Sequence, residues 1–506
     1  MKIVNIMNFV RQIDERSENS TEKLLSLTKY ELALVNEYGI NNTFLLQYDA
    51  LCDADFTDLF KREATEKTEL GLWYEIVEPL TSACGMEYRS EKGWKWDWHI
   101  IPGFSMAYTP AQRELLIDEA MRKFKDVFGY YPKTVASWLI DTHTVNYLTK
   151  KYDISSLAIC RDQDNTDAYT LIGGYFNQAY YPSANNVFTP AQSKEMQVNT
   201  PVFRLLGPCP IHNYDKDKYC SDEYSAKNKS GCYTMEPCWQ MGSHEDSVGW
   251  MLDCYYGEES LGFAYMQTGQ ENSFFGCGER VLKSLQMQIE MLIARGDVEF
   301  TTMGQAGEIF KSLYPNTTPA TCVVAKNNFD SEDVQSVYYD CKNYTANLFR
   351  YENKLFLRSL FLFDEQKKDL YIETPCTTFD AVYENLPIVD TRKCPKESRK
   401  HCGLMIDESA VTFHAKKIGE GVLAVDIGER SVVFYEDAIE IASDRLVFYT
   451  DNIPADVTSD EQGVVFNYKG TAYRLLVKGA SVIPKNDCIE FIKTEKVITL
   501  IPTKTV

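Results

Sequence analysis

The sequence is poor in histidine, with six among 506 residues. Its 15 cysteines form no CxxC pair, and it contains no run of 18 or more apolar residues, no internal repeat and no low-complexity tract. Basic residues are outnumbered by acidic ones, 52 to 73, for a formal net charge of −21. Each shortage excludes something. So negative a chain repels phosphate backbones and anionic lipid surfaces, so neither nucleic acid nor a membrane is an expected partner. Without a long apolar run, no membrane-spanning helix is expected. The opening Met1-Lys2-Ile3-Val4-Asn5-Ile6-Met7 reads as a first core strand and not as a signal peptide, which points to the cytoplasm. An odd number of scattered cysteines fits free buried thiols in a reducing compartment. Six of them, Cys209, Cys220, Cys232, Cys238, Cys254 and Cys277, share one segment, but at no spacing that makes a zinc motif.

What is present is an ordinary globular composition, 44% hydrophobic and 25% charged, with a high aromatic share of 13% that includes 32 Tyr. Tyr and Trp fill cores, and they also stack on the C–H faces of sugars. Over residues 1–316, strand-like runs at 3–10, 42–47, 70–76, 135–140, 156–160, 262–266 and 298–302 alternate with helical periodicity at 21–38, 55–66, 109–128, 145–152 and 280–294. Gly39 and the Thr109-Pro110 pair supply stop and start signals. This alternation predicts parallel βα units, in a barrel or an open sheet, with an irregular insertion at about 205–260. After the polar linker Asn316-Thr317-Thr318-Pro319, short alternating strands, one of them at 369–373, predict an all-β, sandwich-like domain over 317–506.

The most informative stretch is Ser137-Trp138-Leu139-Ile140-Asp141-Thr142-His143, an apolar run that ends in a carboxylate and leads into a helix. A strand that delivers an acid at its C-terminal tip is how α/β barrels place catalytic groups. Glu75 follows Leu70-Gly71-Leu72-Trp73-Tyr74 in the same way, and Glu271 lies just past the 262–266 strand. Glycoside hydrolysis requires one carboxyl group kept protonated and a second kept ionised, so Glu75, Asp141 and Glu271 are the candidate catalytic acids. Each equally suits a helix cap or an arginine partner.

Candidate substrate contacts surround them. Trp98 and His99 belong to Trp94-Lys95-Trp96-Asp97-Trp98-His99, either an aromatic loop over the barrel mouth or a hydrophobic plug. His143, two positions beyond Asp141, faces the same cleft or caps a helix. Arg161 and Asp162 open the polar run Arg161-Asp162-Gln163-Asp164-Asn165, with Asp162 a reserve acid. Trp239, Gln270 and Arg11 complete the set, and Arg11 could instead pair with Glu15.

Several segments, in order, resemble the glycoside hydrolase/deacetylase barrel superfamily of NodB-type polysaccharide deacetylases and family 57 and 38 glycosidases. They are residues 3–9 with Ile13-Asp14-Glu15, Tyr38-Gly39-Ile40-Asn41-Asn42-Thr43-Phe44, Glu69 to Glu75, Gly129-Tyr130-Tyr131-Pro132-Lys133 leading to Asp141, and Val298 to Gln305. The resemblance covers roughly three-fifths of the chain. It implies an irregular (β/α) barrel followed by the all-β domain. NodB-type deacetylases bind a divalent metal through one Asp and two His, and the strand that carries their His pair here reads Leu72-Trp73-Tyr74-Glu75, without histidine. In family 57 glycosidases the place of Asp141 is held by the nucleophilic carboxylate. The resemblance therefore leans to the glycosidase members. The expected function is a carbohydrate-active hydrolase, a glycosidase first, acting on a carbohydrate substrate with no cofactor. The runner-up is a metal-dependent deacetylase with a rearranged site on Asp14, His99 and His143; the third is a non-catalytic carbohydrate-binding barrel.

Overall fold

The computed structural model describes residues 1–16, 20–163, 169–213, 233–275, 279–330, 333–391, 403–451 and 453–504. Five parallel strands follow one another in chain order and in space: β1 (Lys2–Val10), β2 (Asn42–Leu46), β3 (Thr68–Trp73), β4 (Thr134–Ala136) and β5 (Ser156–Ile159). They are apolar and almost wholly buried, as strands covered on both faces must be. Val202–Arg204 extends the sheet parallel to β5, and Ala179–Tyr180 adds an antiparallel edge. On the other side Ala264–Thr268 and Glu299–Phe300 both pair with β1 in parallel. The result is a nearly closed barrel.

The remaining gap is bridged by side chains. Tyr265 donates its N–H to Gln178 Oε1 at 2.9 Å, and Gln178 Nε2 donates to the Tyr265 carbonyl at 3.1 Å. Leu206 N–H donates to Gln267 Oε1 at 2.8 Å. A side-chain amide carries the same donor–acceptor pair as a peptide group, so it satisfies buried backbone that has no neighbouring strand.

Local signals explain the helices. Thr21–Tyr38 starts at a Ser20 cap and stops at Gly39, whose φ of 60° is left-handed. Pro110–Phe128 opens with a capping box between Thr109 and Gln112. The helix expected at 55–66 begins at Ala54, because Asp53 is the residue that caps it. The strand expected at 135–140 ends at Ala136, and Trp138 turns edge-on toward Trp73. Asp141 then caps Thr142–Lys151.

The C-terminal region is two packed antiparallel sheets of nine and eight strands. Their facing surfaces enclose one core, which includes Val337, Leu348, Leu423, Phe434, Phe466 and Leu500. The outer face of the first sheet belongs to the barrel core through Val323, Tyr338, Phe349 and Phe356, and Tyr338 stacks on Phe176 at 3.7 Å. The strand expected at 369–373 is a turn segment, because its polar groups are claimed by the barrel. Thr142 Oγ1 donates to Asp369 Oδ2, and Arg113 Nη1 donates to the Tyr371 carbonyl. Just beyond it, Ala381–Glu384 pairs in parallel with Tyr169–Ile172. Within the insertion expected at about 205–260, Glu245–Tyr256 is a helix and residues 214–232 lie outside the described set. The ten described cysteines are free thiols; Cys220, Cys232 and Cys277 lie outside the described residues, as do Asp164 and Asn165. No helix among the described residues is long and apolar enough to cross a membrane.

Replacing Gln178 by Leu strands a buried N–H and a buried carbonyl on Tyr265. The expected cost is about 2 kcal/mol, read as a lower urea midpoint with an unchanged slope. A midpoint equal to wild type contradicts the bridging role.

Candidate active site

An aromatic plug fills the barrel beneath its C-terminal mouth. Phe9, near the end of β1, stacks on Trp73 at 4.0 Å, and Trp138 meets both rings edge-on at 5.2 Å. On this floor sits a buried ionic cluster. Arg11, one residue past β1, places Nη2 3.1 Å from Glu75 Oε2 and 2.9 Å from Glu271 Oε2. All three side chains are at most 1% exposed. Glu75 is delivered by the tip of β3. Glu271 is delivered by the end of the 264–268 strand, where an isolated bridge pairs it with Phe9. Arg16 Nη2 holds the other Glu271 oxygen at 2.5 Å and, with its Nε, grips both oxygens of Asp14. At 24% exposed, the Arg16 side chain is where this cluster reaches the surface.

Two features of the cluster bear on chemistry. No side-chain N–H of Arg11 is aligned on an acceptor among the described residues, so its contacts are coulombic and its donors stay open. Glu75 Oε1 and both polar atoms of the Gln270 side chain are likewise buried without a described partner. Buried polar groups normally find partners, and open donors beside open acceptors at a barrel mouth suit a hydroxylated ligand. Burial pushes the Glu75 carboxyl above the usual carboxylate range, with Arg11 drawing it back and Glu271 pushing it further up.

Trp96 organises the cluster from above. Its indole Nε1 donates to Glu75 Oε2 at 2.8 Å, and the Arg11 and Arg16 guanidiniums lie over its ring at 4.1 and 4.4 Å. Glu15 fixes it in place, because one carboxylate oxygen accepts the backbone N–H groups of Lys95 and Trp96 at 2.6 and 3.1 Å. Glu15 therefore pairs with the aromatic loop and not with Arg11. Gly103 allows the loop to close, since a Cβ there would sit 2.3 Å from the Asp97 carbonyl oxygen.

The other expected site residues divide. Trp98 and His99 border the mouth: His99 Nδ1 is 2.6 Å from Asp97 Oδ1, and its ring stacks on Trp98. Trp239 packs against Phe274, which lies under Arg16. Asp141 stands apart from Glu75 and Glu271 in its own network. Its oxygens accept from Arg113 Nη1 at 2.8 Å, Ser105 Oγ at 2.5 Å and Thr144 N–H at 3.0 Å. That is both of its alternative roles at once, helix cap and arginine partner. Asp162 is bound by Arg204 and the Gly174 N–H. Arg161 donates to Asn213. His143 faces Glu114 at the half-exposed helix surface. Asp14, His99 and His143 do not come together: Arg16, Asp97 and Glu114 hold them separately, and among the described residues no three His, Cys, Asp or Glu gather as a metal site. Asp14, His99 and His143, each held by its own partner, thus do not form among the described residues a site for the divalent ion of a deacetylase. Arg16, Trp96 and Glu15 are site residues that local pattern did not single out. The signal available was the mixed-charge triplet Asp14-Glu15-Arg16 at the first strand tip.

Burial opposes ionisation of Asp14, but the Arg16 fork overrides it and holds the carboxyl down at about 2, against an ordinary 3.8. A depressed carboxylate stabilises the fold above its unfolded pKa and loses that contribution as pH falls toward the folded one. Wild type is therefore expected to lose roughly 2 kcal/mol through this group between about pH 4 and pH 2. Asp14→Asn lacks that component, as urea denaturation across the interval would register. Parallel pH profiles for the two proteins contradict the assignment.

No family model and no curated protein matches the sequence. Among solved structures, one from Parabacteroides distasonis, provisionally described as a glycoside hydrolase/deacetylase, matches with a TM-score of 0.56 at 14% identity, over 78% of this chain and 93% of that one. A GH57-type branching enzyme from Pyrococcus horikoshii matches over 61% of this chain and 70% of its own at 11% identity, with a TM-score of 0.33. A family 4 acetyl xylan esterase from Clostridium thermocellum matches over 62% and 90% at 10% identity, with a TM-score of 0.28. At those scores the last two carry no argument. The first, at so low an identity, speaks to the fold alone: this chain shares with it a nearly closed parallel β/α barrel, followed here by a pair of antiparallel sheets.

Proposed function

We propose that the protein is a carbohydrate-active hydrolase, and most directly a glycosidase that retains anomeric configuration, with Glu75 as proton donor and Glu271 as nucleophile. The observation that carries this reading is the single Arg11 nitrogen lying within 3.1 Å of both carboxylates. Two oxygens that share it lie no more than about 6 Å apart, closer to the spacing of retaining than of inverting pairs. The environments differ as the two roles require. Arg11 and Arg16 each hold one oxygen of Glu271, which fixes that carboxylate for attack on the anomeric carbon. Glu75 is the carboxyl whose proton affinity is raised, and its Oε2 already accepts from Trp96, leaving Oε1 to carry the proton to the glycosidic oxygen. After the leaving group departs, the Glu75 carboxylate takes a proton from the water that hydrolyses the glycosyl–Glu271 ester. The separation of Asp14, His99 and His143 favours this reading over metal-dependent deacetylation. The description of the Parabacteroides structure is compatible with either chemistry.

On a substrate found by glycan screening, Glu75→Gln and Glu271→Gln are each expected to lower kcat/KM by about 10²- to 10⁴-fold. The first product, followed by proton NMR, is expected to keep the anomeric configuration of the substrate. Full activity in both variants, or an inverted first product, contradicts the assignment; glycan binding without turnover would point to the non-catalytic alternative. Trp96→Phe removes a hydrogen bond that favours ionised Glu75, so the alkaline limb of the kcat/KM profile is expected to move to higher pH. A limb that stays put, or moves down, contradicts Glu75 as the acid.

A further inference from the structure

We infer that Gln47, at the tip of β2, is a specificity-determining residue of this site and holds a ring hydroxyl of the sugar bound between Glu75 and Glu271. This rests on the glycosidase reading and adds to it a side chain that reads the sugar. The strand register places the residue. Phe9 pairs with Leu45, and Leu45 pairs with Gly71. The Gln47 N–H donates to the Val10 carbonyl at 3.0 Å, which carries the pairing past the end of β2. Paired residues in parallel strands turn their side chains to one face, as do residues two positions apart along a strand. Phe9 and Trp73 face the barrel interior, where they stack on each other. Two residues beyond Leu45, Gln47 is level with Arg11 and Trp73 and faces inward with them. It stands on the strand between the tips that carry Arg11 and Glu75, whose ion pair at 3.1 Å spans that gap.

The Gln47 side chain is fully buried, yet neither its Oε1 nor its Nε2 has an aligned hydrogen-bond partner among the described residues. Its polar neighbour is Asp49, whose Oδ2 accepts the N–H groups of Gln12 and Ile13 at 2.9 and 2.7 Å. Burial lifts the Asp49 carboxyl to about 6, while backbone N–H groups and the nearby Gln47 amide draw it back. That nearness makes no aligned bond, and Asp49 Oδ1 is open as well. A buried amide left unpaired costs the empty protein stability, and an apolar side chain of similar size would avoid that cost. What the amide offers is a donor beside an acceptor, the complement of a hydroxyl, which accepts and donates. Such a group discriminates sharply, because an analogue that lacks the hydroxyl leaves it buried and unpaired.

The test is a cycle of kcat/KM values for the full-length protein and its Gln47→Leu and Gln47→Met variants. The probes are nitrophenyl glycosides of glucose, galactose, mannose, xylose and N-acetylglucosamine, each with its monodeoxy analogues. For the sugar that wild type cleaves, one analogue is expected to lose about 10²-fold or more in kcat/KM. In both variants the parent glycoside should fall by a similar factor and that analogue little further, so the penalty for the missing hydroxyl disappears. Without ligand, both variants should unfold at a higher urea midpoint than wild type, the reverse of what a structural role for the amide would give. An equal penalty in wild type and variants for every analogue, or a midpoint in both variants no higher than wild type, overturns the proposal. If no glycoside is cleaved, the hydrolase reading fails by itself, and the same cycle run on affinities from isothermal titration decides for Gln47. A penalty in affinity that both variants abolish supports the assignment; an unchanged penalty, or no binding of any of these glycosides, overturns it.

Discussion

The site depends on one interaction, the burial of Arg11 between two carboxylates contributed by opposite flanks of β1. Two carboxylates buried this close without a cation would force one of them to neutralise, and a lone buried guanidinium would carry a desolvation cost of several kcal/mol. Together they make a cluster that the barrel can hold at its mouth. The barrel supplies what the cluster requires. β1 and β3 end within reach of one another, the 264–268 strand returns beside β1, and the packed rings of Phe9, Trp73 and Trp138 form the floor. Asymmetry between the two acids follows from position: of the pair, Arg16 holds Glu271, and Trp96 donates to Glu75. One fold feature thereby gives two identical side-chain types different partners, and Glu75 is the one whose carboxyl burial pushes up.

The C-terminal sheets are more than an appendage. Their first sheet shares the barrel's core, and the segment around Asp369 and Tyr371 enters the Asp141–Arg113 network behind the site. A buried Arg113 that serves Asp141 and the Tyr371 carbonyl links helix, strand tip and C-terminal segment in a single polar unit. Such a network tolerates no missing member, since each loss leaves a buried polar group unpaired.

Much of the barrel was legible because parallel strands buried on both faces read as apolar runs, and because Gly39 and Thr109-Pro110 mark helix ends by local chemistry. The β region was less so. His414–Gly419 and Asp456–Asp460 are largely exposed edge strands with little apolar alternation to find, and Tyr344–Tyr351 buries Asn347 and Arg350 among its apolar residues. The strand expected at 369–373 has strand-like composition, but its polar groups bond to the barrel. In the site, Glu75, Asp141 and Glu271 carry the same local signal, an acid at a strand tip. What separates them is a partner distant in sequence: Arg113 holds Asp141, while Arg11 draws Glu75 and Glu271 together. No periodicity records that choice. Trp96 stood inside the aromatic loop, yet its bond to Glu75 depends on how the loop folds over the strand tips.

The most direct measurement of the central claim is covalent trapping. The protein is treated with activated 2-deoxy-2-fluoro glycosides of the sugar it cleaves, digested, and mapped by mass spectrometry. If Glu271 is the nucleophile opposite Glu75, the glycosyl label resides on the peptide that carries Glu271 and is absent from Glu271→Gln. A label on Asp141 or another carboxylate, or full turnover of these glycosides with no labelled protein at any time, contradicts the account.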